Sequence, residues 1–345
     1  MPTPPMHSIS PVATVAPASP RSTRRAARAL TRVVGIALVA AVLTACSSTT
    51  ASSGTASGET HTLTTAYGTV EAPVSPERVV AASYDTPWQL MSLGVKPIAT
   101  QDYGKWIKEF TPEEQQFVKG LPTIGTFGEV NFEAIAKEKP DIIVGDADEI
   151  DQATYKRLSA IAPTIVAKGK SRGDWAAVTE QLAAAVGKTD SWTEAKATYT
   201  ATLDRLKSQY AKQMSSNTWV HFSLGDDAGQ FSIQQPTGSI GNLVVNELGL
   251  KYGPGVPVEQ DDSGYGSYPL EQLGTVFSSV TVAVHPLNAD GSVPPAIQAI
   301  LDNELFTRTE VAQSHHVYGM RTIITSYVTA NEWLKEFEGT VLEHL

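Results

Sequence analysis

From His61 onward the apolar positions change period repeatedly, and each change marks an element. Residues 62–66 alternate and Gly68 follows, which predicts a short hairpin. Residues 78–82 then form an almost unbroken apolar run with the length of a buried strand. Pro87 opens a predicted helix that runs to Leu93 and stops at Gly94, with proline just inside its start and glycine just past its end. A strand over 96–100 comes next. The alternation continues through helix 132–138, strand 141–144, helix 154–161, strand 164–167 and helix 175–186. Strands alternating with helices argue for an α/β fold built on a largely parallel sheet.

Residues 192–214 interrupt this rhythm. They include no Gly or Pro, and Ala195, Tyr199, Leu203, Leu206 and Tyr210 fall near helical spacing, so one long helix is predicted. After it, residues 219–223 begin a second strand-and-helix series, which ends in an amphipathic helix from about residue 325. The pattern therefore predicts an α/β protein of two Rossmann-like lobes, 61–189 and 215–345, each with a central, mostly parallel sheet. One rigid helix over 190–214 joins them.

Two helix-to-strand units can be set side by side. Phe132-Glu133-Ala134-Ile135 leads to a strand at Ile142, and Leu270-Glu271-Gln272-Leu273 to one at Val280, so each glutamate precedes its predicted strand by nine residues. One such unit falls in each lobe. On the residues alone, each glutamate also suits the first turn of a helix, where the macrodipole favours negative charge.

Ahead of His61, residues 47–58 are wholly Ser, Thr, Ala and Gly, and 46–60 read as a flexible spacer. Farther upstream, Arg21, Arg24, Arg25, Arg28 and Arg32 occur with no acidic residue, followed by residues 33–43, which are apolar apart from Gly35. That run is too short to span a bilayer. Leu43-Thr44-Ala45-Cys46 places the sole cysteine directly after it, and residues 1–45 resemble a bacterial lipoprotein signal peptide. The resemblance implies cleavage before Cys46, acylation of its thiol, and an extracytoplasmic protein anchored to the cell membrane, at the cell surface or in a periplasm. Arg24-Arg25 has no Phe-Leu pair after it, which leaves Sec and twin-arginine export both open.

Loss of the first 45 residues removes five arginines and no acid, leaving 21 Lys and Arg against 36 Asp and Glu, a formal charge of −15. Such a balance argues against nucleic acid as a partner. A lone cysteine allows no intramolecular disulfide, so about 280 residues must hold together by packing, a size that suits two lobes in one monomer.

Four phrases sharpen the picture: Pro76-Glu77-Arg78-Val79-Val80, Leu93-Gly94-Val95-Lys96-Pro97-Ile98, Thr123-Ile124-Gly125-Thr126-Phe127-Gly128, and Asn131-Phe132-Glu133-Ala134-Ile135 running to Lys139-Pro140-Asp141-Ile142-Ile143. In this order they resemble the iron-siderophore and cobalamin substrate-binding proteins of ABC importers. The likeness covers about 78–345, more loosely in the second half, where Tyr268-Pro269-Leu270-Glu271-Gln272-Leu273 carries it. It implies two α/β lobes bridged by a long helix with little hinge bending, and a ligand cleft between them. It also implies that Glu133 and Glu271, singled out above, dock onto arginines of the permease. The ligand would be a ferric siderophore delivered to that permease, with no permanent cofactor.

Cleft walls in such folds are the loops after the carboxyl ends of strands. Here those loops hold Tyr84, Tyr103, Trp106, Phe127 and Asp146 in the first lobe, and Phe222, His285 and Arg321 in the second. Aromatic rings offer wide apolar faces to a bulky chelate, while Arg and His can meet its oxygens. Arginine and lysine are sparse in this set, which favours a ligand of low negative charge. Haem, a corrinoid or a bare metal ion are the alternative ligands. For bare metal, His221, His285, His315 and His316 are the candidates, but they show no metal spacing.

Enzymatic readings have less behind them. Gly187-Lys188-Thr189 looks like the end of a phosphate loop, yet Leu182 stands where that loop needs glycine, and the only cysteine is committed to the lipid. Asp226-Asp227 and Asp261-Asp262 read as solvated turns. Outside transport, the remaining classes are a surface adhesion lipoprotein, which binds a macromolecule, and an extracytoplasmic hydrolase, which needs turnover.

Overall fold

The computed structural model describes residues 59–171, 173–259 and 264–345. The expected signal peptide, Cys46, most of the spacer, and Asp261-Asp262 lie outside the described residues.

Strands β1 (Thr60–Thr65) and β2 (Gly68–Pro73) form the expected antiparallel hairpin around Gly68, whose φ of 124° only glycine adopts easily. The hairpin leads to β3 (Val79–Ala81), the first strand of a small parallel sheet. Two residue pairs, in β4 (Gly125–Thr126) and β5 (Glu129–Val130), make a separate short hairpin. With β6 (Ile142–Asp146) and β7 (Thr164–Ala167), β3 completes a sheet of order β3-β6-β7. Both faces are covered, which is why these strands read as continuous apolar runs. Val79, Ala81, Ile142, Val144 and Ile165 pack on one side with Leu182, while Val80, Ile143 and Val166 pack on the other with Ile135 and Leu158.

The predicted strand over 96–100 is reduced to two isolated parallel bridges, Val80 to Ala99 and Thr100 to Thr123. Pro97 has no N–H to give a ladder, and Gln101, buried immediately after, turns its side chain to the Ala82 carbonyl at 3.0 Å instead.

Helices follow the expected signals closely. Helix α1 (Thr86–Ser92) has proline in its first turn and stops before Gly94, whose φ is 71°. Helix α2 (Pro112–Val118) starts with a capping box between Thr111 and Glu114. Helix α3 (Phe132–Glu138) is capped by Asn131, whose side chain accepts the Ala134 N–H at 3.0 Å. Helices α4 (Gln152–Leu158) and α5 (Trp175–Ala185) begin at Asp151 and Asp174, each of which caps in the same way.

The long helix is present but shorter than predicted. Helix α6 (Thr189–Gln209) ends at Tyr210, and α7 (Ala211–Ser216) continues at an angle. Tyr210 leaves helical geometry at φ −110° and ψ 24°, yet it keeps both backbone bonds, donating to Leu206 and accepting from Met214. Tyr210 and Met214 both enter the core that α6 shares with the C-terminal helix Tyr327–Thr340. Arg205 on α6 reaches across to Glu338 with two bonds of 2.7 and 2.6 Å.

The second sheet corrects the expectation of a mostly parallel one. It is mixed, with order β10-β9-β8-β11-β12. Strands β8 (Trp219–Leu224), β11 (Val282–Pro286) and β12 (Val317–Met320) are parallel, while β9 (Gln230–Gln234) and β10 (Tyr265–Pro269) run antiparallel at the edge. The cause is the short link at 225–229, closed by Gly229 at φ 86°; so few residues can only return antiparallel. Asp226 in that link accepts the Tyr265 and Ser267 hydroxyls, both at 2.9 Å, so it is a structural turn residue and not merely solvated.

Candidate functional site

At the carboxyl end of β3, the chain turns through Ser83 into Tyr84, around which the predicted aromatic residues collect. Ring centroids lie 5.2 Å from Tyr84 to Tyr103, 5.5 Å to Trp106 and 5.9 Å to Phe127, and Trp106 is 6.2 Å from Phe127. These are the edge-to-face and tilted spacings that aromatic rings favour. Phe127 sits between β4 and β5, where Gly125 and Gly128 both have positive φ, and it is 47% exposed. Lys105 lies 4.9 Å from the centre of the Trp106 ring.

Tyr103 does not belong to the surface of this patch. It is 3% exposed, packs on Trp88 and Phe110, and donates its hydroxyl to the Tyr84 carbonyl at 2.6 Å. Its position in a loop suggested a wall residue; its contacts make it the support under Tyr84.

Asp146 closes β6 beside this patch. Its Oδ1 accepts the N–H groups of Asp148 and Glu149 at 3.1 and 3.3 Å, and Ser83 Oγ accepts the Asp146 N–H at 2.9 Å. Burial, then the charges of Asp85, Glu149 and Asp148, push its carboxyl up to about 8. At neutral pH it is largely protonated, a proton donor where the sequence implies an anion. Glu149 in turn accepts from the Tyr84 N–H and from Gln101 Nε2, the latter at 2.8 Å.

In the second half, Phe222, His285 and Arg321 come together around one cavity of about 260 Å³ over the carboxyl ends of β8, β11 and β12. Phe222 and His285 lie 5.7 Å apart. Burial holds the His285 imidazole below its ordinary range, opposed by its Nδ1 contact of 3.0 Å with the Pro286 carbonyl. Arg321 stands half exposed at the rim, with Nε 3.5 Å from Glu336. Glu336 is engaged mainly by the Arg321 and Thr322 N–H groups and the Thr322 hydroxyl, at 2.9, 3.0 and 2.7 Å. The remaining wall is largely apolar, with Leu224, Ile240, Met320 and Trp333 among its residues, and also carries Ser223, Gln234, Ser239, Asn288 and Thr322.

Sequence reasoning found the strand-end residues of this cavity but missed Ile240, Pro294 and Trp333, which come from helical segments and a loop far along the chain. It also considered His221 only as a metal ligand. His221 lines the cavity, whereas no group of three His, Cys, Asp or Glu side chains suited to a metal ion occurs among the described residues.

The two halves meet at several points. The Gly173 N–H donates to the Thr237 carbonyl at 2.7 Å. The Asp290 carboxyl is held low first by Ser292, with Lys108 adding a smaller favourable charge. Burial raises Glu332 on the C-terminal helix, as do Glu114 and Glu113 of α2.

Gly173 also ends a Gly-x-Ser-x-Gly sequence, Gly169 to Gly173, between β7 and α5. It does not form a nucleophile elbow. Helix α5 starts only at Trp175, and the small cavity at Ser171 is lined by Asp85, Asp146 and Lys168 but by no histidine.

Glu133 and Glu271 are both exposed, in the first turn of α3 and of the short 3-10 helix Leu270–Gln272. Their equal spacing to the next strand does not hold: β6 begins at Ile142, nine residues on, but β11 begins at Val282, eleven residues on. Residues 280–281 belong to the approach to the strand, where the Thr281 side chain bonds to Asn217 and Thr218. Beside Glu133, Arg157 stacks 3.5 Å from the centre of the Phe132 ring.

Known proteins share both sequence and fold with this chain. The chain is 30% identical over 217 residues to the probable siderophore-binding lipoprotein YfiY of Bacillus subtilis, covering 61% of this chain and 63% of that protein. It is 28% identical over 222 residues to the Fe(3+) dicitrate-binding periplasmic protein FecB of Escherichia coli, covering 64% and 70%. The siderophore periplasmic binding protein of the fuscachelin gene cluster of Thermobifida fusca superposes with a TM-score of 0.68 at 22% identity, over 79% of this chain and 98% of that one. Among the described residues, no helix is long and apolar enough to cross a membrane. The family model described as "Periplasmic binding protein" matches residues 79–323, a span that contains the Tyr84 patch and the strand-end residues around the cavity, and the chain belongs to that family.

Proposed function

We propose that this protein is the extracytoplasmic substrate-binding lipoprotein of an ABC importer, and that it captures a ferric siderophore and hands it to the permease. The observation that carries the reading is the pairing of an aromatic patch at Tyr84, Trp106 and Phe127 with an apolar cavity at Phe222, His285 and Arg321. Both stand at the carboxyl ends of parallel strands, where ligands bind in open α/β sheets. The relatives YfiY and FecB, named for siderophore and ferric dicitrate binding, support the same cargo class.

In this reading residues 61–189 and 215–345 are two lobes, and 190–214, bent at Tyr210, is the rigid bridge between them. Helix α6 packs on the C-terminal helix through Tyr199, Leu203 and Leu206, which resists hinge bending. Cys46 carries the lipid, residues up to 60 span the gap to the membrane, and exposed Glu133 and Glu271 meet permease arginines.

Six tryptophans, among them Trp106 in the patch, make the test direct. Titrating the protein with ferric siderophores should quench its fluorescence at concentrations where free Fe(III) and Zn(II) have no effect. Tight binding of the bare ions, lost on replacing His221 or His285, would replace this reading with direct metal capture.

A further inference from the structure

The hairpin that carries Phe127 also leads into the helix that carries Glu133. Strands β4 and β5 hold only two residue pairs, Gly125 with Val130 and Thr126 with Glu129, and the turn between them is Phe127-Gly128. The Asn131 N–H closes the base of the hairpin, donating to the Ile124 carbonyl at 2.8 Å. Asn131 is at the same time the cap of α3, its side chain accepting the Ala134 N–H at 3.0 Å. One residue therefore ends the hairpin and starts the helix whose first turn holds Glu133.

A two-stranded hairpin has little stability of its own. This one sets half-buried Val130 against the neighbouring core, while Thr126, Phe127, Gly128 and Glu129 are exposed. Its other ties run to the aromatic patch: the Asp102 N–H donates to the Gly125 carbonyl at 2.8 Å, and the Phe127 ring packs on Tyr84 and Trp106. Segments with few buried contacts open at low free-energy cost, and a ligand that grips only the closed form shifts the population towards it.

Beside the hairpin lies an open groove of about 470 Å³, lined by Thr126, Glu129 and Val130 of the hairpin and by Phe132, Glu133 and Arg157 of α3 and α4. The helical part of that lining is fixed: Ile135 of α3 is fully buried, and Arg157 lies 3.5 Å over the Phe132 ring. The hairpin is the part that can move. Glu129 belongs to the movable part and Glu133 to the fixed one, so the two carboxylates meet a basic partner together only while the hairpin is closed. We infer that the β4–β5 hairpin reports ligand occupancy to the permease: a chelate seated on Phe127 holds the hairpin closed, which keeps Glu129 and Glu133 on one groove as a two-carboxylate socket for a basic permease loop. The empty protein, whose hairpin opens more often, offers Glu133 alone and docks more weakly. This rests on the docking and siderophore reading above.

The test follows amide exchange by NMR in the purified protein, saturated with whichever of ferric desferrioxamine B, ferric enterobactin and ferric citrate binds most tightly. Saturation should slow exchange of the Asn131 and Ala134 amides about tenfold or more. The Thr154 amide, capped in the same way by Asp151 at 2.7 Å but not joined to the hairpin, should not change. In Phe127→Ala, saturated with the same chelate, the slowing should be lost. In cells, Glu129→Gln should reduce chelate uptake about threefold or more at matched protein level while chelate affinity holds, and Glu129→Asp, which keeps the charge, should recover part of the loss. Equal slowing in parent and Phe127→Ala, no slowing at Asn131 and Ala134 in either, or normal uptake by Glu129→Gln overturns the inference and leaves the siderophore reading standing. A parent protein that binds none of the three chelates removes the siderophore reading itself, and the inference with it.

Discussion

Tyr84 stands edge-on to Trp106, with ring centroids 5.5 Å apart and planes at 88°. Beneath them Tyr103 holds the Tyr84 carbonyl through its hydroxyl at 2.6 Å, so one tyrosine presents a surface and the other supports it. The division of labour predicts different consequences. Trp106→Ala and Phe127→Ala should each weaken chelate binding by about 1–3 kcal/mol while leaving stability nearly unchanged. Tyr103→Phe should instead lower stability by about 1 kcal/mol, with a smaller effect on binding. Titration and denaturant melts of the three variants check this; equal affinity losses with no stability difference would show that the patch has no such layering.

Phe127 depends on the hairpin beneath it. Gly125 has φ 120°, and a Cβ added there would stand 1.9 Å from the Glu129 carbonyl oxygen. Gly125→Ala should therefore open the hairpin, lowering stability by about 1–3 kcal/mol. It should also cost at least as much chelate affinity as Phe127→Ala, since the ring loses its place. A variant with parent-like binding would mean that Phe127 is not held for the ligand.

Buried His221 and half-buried Asp146 give stability opposite dependences on pH. His221 is pushed down to about 3 from an ordinary 6.5, so its contribution is complete above pH 6.5 and is lost as the pH falls towards 3. His221→Phe should gain on the parent through that window, by at most about 1.4 kcal/mol per pH unit. Asp146 is pushed up to about 8 from 3.8, so its contribution is complete below pH 3.8 and is lost as the pH rises to 8. Asp146→Asn keeps an acceptor for the Asp148 and Glu149 N–H groups and should gain about 1–3 kcal/mol on the parent across that range, below the full shift because the side chain is partly exposed. Unfolding curves at pH 4, 6 and 8 decide the matter. Variant and parent curves that stay parallel would show that these groups do not control the slope.

Where function used local signals, the sequence was informative. Period, caps and glycine stops located α1, α3, α5 and the strands of the first sheet, because a strand covered on both faces must be apolar throughout and a helix end needs a partner for its free backbone groups. Tyr84, Trp106 and Phe127, which the structure brings into one patch, were singled out for a related reason: strand-end loops are where open α/β folds place ligands. Features set by distant contacts were not legible. Nothing local says that Tyr210 must leave the helix so that it and Met214 can both enter the core. Nothing in a loop tyrosine distinguishes half-buried Tyr84 from buried Tyr103. His221 reads as one more apolar-run residue until Trp333, more than a hundred positions later, is seen beside it.

The proposed anchorage rests on Leu43-Thr44-Ala45-Cys46 alone. Under the proposed lipid attachment at Cys46, Cys46→Ala should move the protein from the membrane fraction to the soluble fraction. Its chelate affinity should match that of the parent. Retention of the variant in salt-washed membranes would show another means of attachment.

Glu133 and Glu271 separate a transport component from a mere binder. Both are exposed and neither lines the 260 Å³ cavity, so each can meet a permease cation without touching a ligand held there. Replacing either with Ala should leave chelate affinity unchanged and reduce uptake in cells, and replacement with Lys should be worse, since like charges facing each other at an interface are costly. Their unequal spacing to the following strands, nine residues against eleven, means that the two glutamates do not sit in copies of one local unit. The variants should therefore differ in severity, with the double variant lowest. If the glutamates merely favour helix starts, each substitution costs only about 0.3–1 kcal/mol of stability, and uptake stays normal at normal protein level. The deciding measurement is uptake of a radioiron chelate by the double variant with membrane abundance matched to the parent, and unimpaired transport would remove the docking role.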